Sequence, residues 1–99
     1  MSIRTEKNGR VFQITFDRPK AKNALDVSMY RAATEALEAA GADPEVRVIL
    51  FRGEGGAFTA GNDLKDFIDN PPNQLDAPVF QFIRALAKTE KPMVAAVEG

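Results

Sequence analysis

Apolar residues in this chain fall into short β-type runs separated by helical spacings. Val11, Phe12, Ile14 and Phe16 form a β-prone run that Pro19 closes, because proline cannot donate to a sheet. A weaker run, Ile3 to Glu6, precedes it. Asn8-Gly9 between them is a two-residue turn signal whose positions call for positive φ. The pattern predicts a hairpin over 2–7 and 10–17. Met29, Ala33, Leu37 and Ala40 then recur at helical spacing, with Tyr30 beside them. Asp26 is placed to cap that helix, while Gly41 and Pro44 are placed to stop it, so the expected span is 27–40. Val46 to Phe51, VRVILF, reads as a strand covered on both faces. Leu64, Phe67 and Ile68 predict a short helix, broken by Asn70-Pro71-Pro72-Asn73. Val79, Phe80, Ile83, Leu86 and Ala87 predict an amphipathic helix over 76–88, with Pro78 tolerated in its first turn. MVAAV, 93–97, reads as another buried strand. Strand and helix in this order predict the α/β class.

Composition narrows the chemistry. The 99 residues suit one domain or a piece of one. The formal net charge is -1, which argues against nucleic-acid binding through bulk positive charge but leaves room for a small Lys/Arg cluster reading phosphates. There is no Cys and no His. Disulfides and thiol nucleophiles are excluded, and no metal site is expected. Acid–base work would fall to Asp, Glu, Lys, Tyr or the backbone. No window carries the ~18 apolar residues that a membrane span needs, and the N-terminus lacks a secretory signal's apolar core. A cytoplasmic protein without a membrane partner is the expectation.

Four glycines, Gly53, Gly55, Gly56 and Gly61, fall within nine residues after the third strand run, and Asn62-Asp63 follow. Such a loop either turns the chain through conformations that only glycine tolerates, or brings backbone N–H groups against an anionic ligand. The dinucleotide fingerprint fails because Phe58 stands where its last glycine belongs. The P-loop pattern fails because Asn62 and Asp63 replace its lysine and hydroxyl residue. What survives is a backbone-donor site. Gly61 permits close approach, and the N–H of Asn62 can face an oxygen that gains charge during reaction. One such donor lowers a barrier by roughly 3 kcal/mol in well-studied enzymes. A second donor has to lie elsewhere.

The segments FDRPKAKNAL (16–25), the helix after it, DPEVRVILFRGEGGAFTAGNDLKDF (43–67) and KPMVAAVEG (91–99) occur in this order across nearly the whole chain. In this the chain resembles the N-terminal part of the crotonase superfamily, the enoyl-CoA hydratase/isomerase family. The resemblance implies a spiral of ββα units, assembled as homotrimers or hexamers, acting on an acyl-CoA thioester through an enolate-like anion. It implies that the Asn62 N–H is one oxyanion donor and that the second follows the 91–99 segment. It also implies CoA contacts at Ala21, Lys22 and Ala24, and at Ala60, Gly61, Asp63 and Leu64, largely through backbone, with CoA as part of the substrate and no separate cofactor. Lys20 and Lys22 suit anionic phosphates, and equally suit a solvated surface. Asn62 is similar to isomerase branches and to others, and its side chain also suits a local Asx-type hydrogen bond.

The family's acid and base glutamates would lie beyond residue 99. Asp63 and Asp66 read as an N-cap and a first-turn helix residue, and Glu98 reads as a polar turn residue. The expectation is thus an N-terminal, incomplete part of a crotonase-like domain over 1–99, with the 93–97 strand leaving apolar faces partly exposed when alone. The alternative is a non-catalytic CoA-binding or assembly module of the same fold.

Overall fold

The computed structural model describes residues 2–71 and 77–97. Four strands form one sheet in the order β1-β2-β3-β4, where β1 is Ile3–Asn8, β2 Val11–Phe16, β3 Val48–Gly53 and β4 Met93–Ala96. β1 and β2 are antiparallel, whereas β2, β3 and β4 run parallel. The predicted hairpin is present, but its turn sits one residue later than Asn8-Gly9 suggested. Asn8 pairs with Val11, so Gly9 and Arg10 are the turn residues. Only Gly9 has positive φ (62°), which fits the turn type with glycine at its first central position.

Helix α1, Val27–Ala42, begins where predicted, and the Asp26 carboxylate accepts from the Met29 N–H. It runs past the expected stop at Gly41, whose backbone stays helical. Pro44 ends it instead, by holding Asp43 extended (φ −84°, ψ 113°). Lys91 then covers the open end, with its Nζ donating to the carbonyls of Ala40 (2.7 Å) and Asp43 (2.5 Å). β3 begins at Val48, two residues after the predicted start. Val46 is buried ahead of it, and the Arg47 and Val48 N–H groups donate to the Arg10 carbonyl, which sets the register. Helix α2, Leu64–Asp69, follows the glycine loop as expected. Helix α3, Pro78–Lys88, has Pro78 in its first turn. Pro72 and Asn73 of the predicted break, residue 76 of the predicted helix, and Glu98 lie outside the described residues.

The core lies on one face of the sheet. Ile14, Phe16, Ile49 and Phe51 point to it from β2 and β3, while Met29, Ala33, Leu37 and Ala40 of α1 and Phe82 of α3 close over them. An aromatic chain crosses this core: Phe58 meets Phe16 at 5.4 Å, and Phe51 meets Phe82 edge-on at 6.4 Å. Two strand expectations need correction. β3 buries Ile49, Phe51 and Gly53, but Val48, Leu50 and Arg52 on its opposite face are half-buried, because α1 and α3 both pack on the core side. β4 is exposed along its whole length rather than buried, since it forms the sheet edge and pairs only with β3.

Candidate functional site

β2, β3 and β4 are parallel, so their C-terminal ends open on the same side of the sheet, where open α/β sheets bind ligands. The connector after β2 and the glycine loop after β3 emerge there and lie side by side. Ala60 N–H donates to the Lys22 carbonyl (2.9 Å), Thr59 Oγ1 to the Asn23 carbonyl (2.7 Å), and Leu25 N–H to the Gly61 carbonyl (2.7 Å). Asp63 N–H donates back to the Leu25 carbonyl at 2.9 Å.

Asn23 holds this corner. It is fully buried in a left-handed conformation (φ 59°). Its Oδ1 accepts from the Arg18 N–H at 2.7 Å, and its Nδ2 donates to the carbonyls of Glu54 (2.9 Å) and Ala57 (2.8 Å). One amide thus ties the connector to two points of the glycine loop. Arg18 completes the closure: its guanidinium donates to the Asp63 carboxylate at 2.6 Å and to the Ala24 carbonyl at 3.1 Å. Sequence reasoning treated 18–25 as a polar connector and missed both residues. The available signal was asparagine's tolerance of left-handed backbone combined with an amide that can donate and accept at once.

Asp63 and Asp66 have structural work, as expected. Asp63 accepts from the Asp66 N–H and caps α2. That bond, then the Arg18 guanidinium, hold its carboxyl below the ordinary 3.8. Asp66 also reaches across to α1, accepting from the Val27 N–H at 2.7 Å. The two helix N-termini are therefore bound to each other through Asp66.

Asn62 stands differently. Leu25 and Asn62 form a parallel bridge, in which Leu25 bonds the residues on either side of Asn62. The peptide groups of Asn62 itself therefore point away from Leu25. Among the described residues, the Asn62 N–H donates to no partner. Gly61 before it has φ +92°, and a Cβ added there would meet nothing within 4 Å. The Asn62 side chain does not make the local Asx bond that its type suggested. Its Oδ1 accepts from the Tyr30 hydroxyl of α1. Burial pushes that phenol above its ordinary 10.0, so it stays protonated and donates.

Asn62, Tyr30 and Leu25 border a cavity of about 260 Å³ that Phe67 of α2 and Pro78 and Val79 of α3 also line. The other residues expected in the site surround this corner. Ala21, Lys22 and Ala24 lie on the connector, with Lys22 exposed and left-handed (φ 51°), and Ala60 and Leu64 are exposed on the loop and on α2. Among the described residues, Lys20 and Lys22 form no ion pair. No group of Asp and Glu among the described residues is placed to hold a metal ion, and no helix among them is long and apolar enough to cross a membrane.

Residues 6–99 match the family profile described as Enoyl-CoA hydratase/isomerase, and the chain belongs to that family. It is 33% identical to the enoyl-CoA hydratase EchA19 of Mycobacterium tuberculosis, over 95% of this chain and 38% of that protein. It is also 33% identical to the human enoyl-CoA delta isomerase 2, over 96% of this chain and 25% of that protein. The solved structure of Pseudomonas aeruginosa OdaA superposes with a TM-score of 0.94 at 44% identity, covering 99% of this chain and 40% of that one. The fold is the N-terminal part of the crotonase fold, and the chain spans between a quarter and two-fifths of the length of these three proteins.

Proposed function

We propose that these 99 residues form the N-terminal part of a crotonase-like domain that processes acyl-CoA thioesters. In this reading the Asn62 N–H is one of two donors that stabilise the thioester oxygen as an enolate forms. The observation that carries it is the Asn62 amide, which has no partner among the described residues and lies on the Leu25 bridge beside a cavity of about 260 Å³. A donor already fixed in place stabilises developing charge without reorganising, which is why a bare N–H is suited to this step.

The acyl group enters the cavity between α1, α2 and α3, and the CoA chain runs over the connector and loop. Ala21, Ala24, Ala60 and Gly61 offer small side chains and close backbone approach, and exposed Leu64 offers apolar contact to the pantetheine. Asp63 contributes through its backbone, because its carboxylate is engaged by Arg18. Lys20 and Lys22, which form no ion pair among the described residues, would meet the phosphates. The second donor follows β4, whose end opens on the same side as the glycine loop. No acid or base is assigned to residues 2–97, so proton transfer belongs to groups supplied by the rest of the domain, which assembles as a trimer or hexamer.

The test is turnover by the full-length protein against enoyl-CoA thioesters of several chain lengths. Turnover with at least one is expected. None with any, alongside binding of CoA by calorimetry, would favour a non-catalytic CoA module. Gly61→Val forces a branched side chain into φ +92°, a conformation that side chains rarely adopt, in the residue before the amide. It is expected to cut turnover at least a hundredfold, the order lost with an oxyanion donor. A variant that melts normally and turns over normally would remove the loop from the mechanism.

A further inference from the structure

Resting on that reading, we propose that Tyr30 is a positioning residue for the Asn62 amide: its hydroxyl pins the Asn62 side chain, and through it the peptide that carries the anion-binding N–H.

The 61–62 peptide is anchored at one end only. The Gly61 carbonyl accepts from Leu25, while the N–H of the same peptide has no partner among the described residues. A peptide held by one oxygen can swing about that bond, and Gly61 before it lacks the Cβ that would restrain it. The Asp63 N–H bond to Leu25 fixes the chain one residue further on. What remains free is rotation about the Asn62 backbone. The Tyr30 hydroxyl, donating to Asn62 Oδ1, ties the side chain on that Cα to helix α1.

Tyr30 is itself well held. Its ring packs on Phe82 of α3 at 5.9 Å, its N–H donates to the Asp26 carbonyl, and its own carbonyl accepts from Thr34 Oγ1 at 2.8 Å. The donor is therefore referenced to the packed α1–α3 pair and not only to its own loop. A misplacement of about 1 Å can matter strongly for catalysis, so a second tether has a reason to exist. The phenol's raised pKa keeps it a donor through the ordinary pH range and gives it no role as a base.

The experiment uses the full-length protein. Tyr30→Phe keeps the ring and its Phe82 contact and removes only the hydroxyl. It is expected to lower kcat by about three- to tenfold, the effect of one net hydrogen bond, with KM within about twofold. Asn62→Ala is expected to lower kcat similarly, and the double variant to lose no more than either single one, because both break the same tether. Multiplying effects, or an unchanged kcat in Tyr30→Phe, would overturn the proposal. Hydrogen exchange of peptides spanning 59–64 gives a readout independent of turnover. Exchange is expected to speed up in Tyr30→Phe, and unchanged exchange would overturn the tether even in a protein that proves inactive. Inactivity of the wild type on every thioester would instead remove the proposed reaction and leave the tether to be judged by exchange.

Discussion

Two flanks of this molecule differ in how their polar and apolar groups are satisfied. At the corner where the connector meets the glycine loop, the buried Asn23 amide and the Arg18 guanidinium interlock with backbone carbonyls, a backbone N–H and the Asp63 carboxylate. Along α2 and just past the end of β4, large apolar side chains stand in water: Leu64 is 76% exposed, Ile68 74% and Val97 70%. The first flank is finished by residues within the chain. The second carries the kind of surface that proteins normally cover. The lesson is that the proposed donor at Asn62 is seated by groups within the chain, the Leu25 bridge and the Tyr30 hydroxyl, whereas the walls of the proposed site need additional cover. That division matches a chain that spans 38% of EchA19 and 40% of OdaA.

The strongest way to break the comparison is at Asn23. Asn23→Ala leaves the Arg18 N–H and the Glu54 and Ala57 carbonyls without their shared partner. Each buried group left unmade costs about 1–3 kcal/mol, so a loss of about 3–4 kcal/mol is expected in urea unfolding, after some relaxation. A loss below about 1 kcal/mol would mean that the corner is held by its backbone pairing alone.

Glycine replacements sharpen the comparison because they should differ in sign. At Gly53, a Cβ would lie 1.9 Å from the Ala57 carbonyl oxygen and 2.8 Å from Asn23 Nδ2, inside the interlocked corner. Gly53→Ala is expected to cost about 2–3 kcal/mol, since backbone has to move. At Gly41, in the last turn of α1, a Cβ would meet nothing within 4 Å and the backbone is already helical. Gly41→Ala is expected to stabilise by about 0.5 kcal/mol through helix propensity. Thermal melts of the two variants measure both signs, and two destabilised variants would show that the last turn of α1 is not an ordinary helix.

The sequence disclosed the elements that depend on local pattern and hid those that depend on neighbours. The hairpin, α1, α2 and the order of strands follow from periodicity, and Asp26 and Asp63 act as the caps their positions suggest. Gly41 misled because glycine permits a helix to end without requiring it, and Pro44 set the end. MVAAV is apolar throughout and VRVILF nearly so, with Arg47 the exception, which reads as burial on both faces. Burial of the second face depends on what packs there, and no local pattern records it. In the loop, the need for glycine at 61 was legible, and Gly61 has φ +92°, while the role proposed for the Asn62 N–H came from the family resemblance. The link from Tyr30 to Asn62 spans 32 residues and was not legible: in sequence Tyr30 is only one more residue on an amphipathic helix.

The smallest expected effect is the most discriminating. Val94 lies on β4 opposite Leu50 and is 52% exposed. Val94→Ala removes apolar surface that is largely in water already, so in the 99-residue chain it is expected to cost less than about 0.5 kcal/mol. If the rest of the domain covers this face, the same substitution in the full-length protein deletes buried carbon and is expected to cost more than about 1.5 kcal/mol. Both proteins lose the same strand propensity, so the difference between the two costs reports cover alone. Urea unfolding of the four proteins gives that difference. Equal small costs would mean that the β4 flank stays open in the longer protein, and its exposed apolar residues would then belong to an interface rather than to an interior.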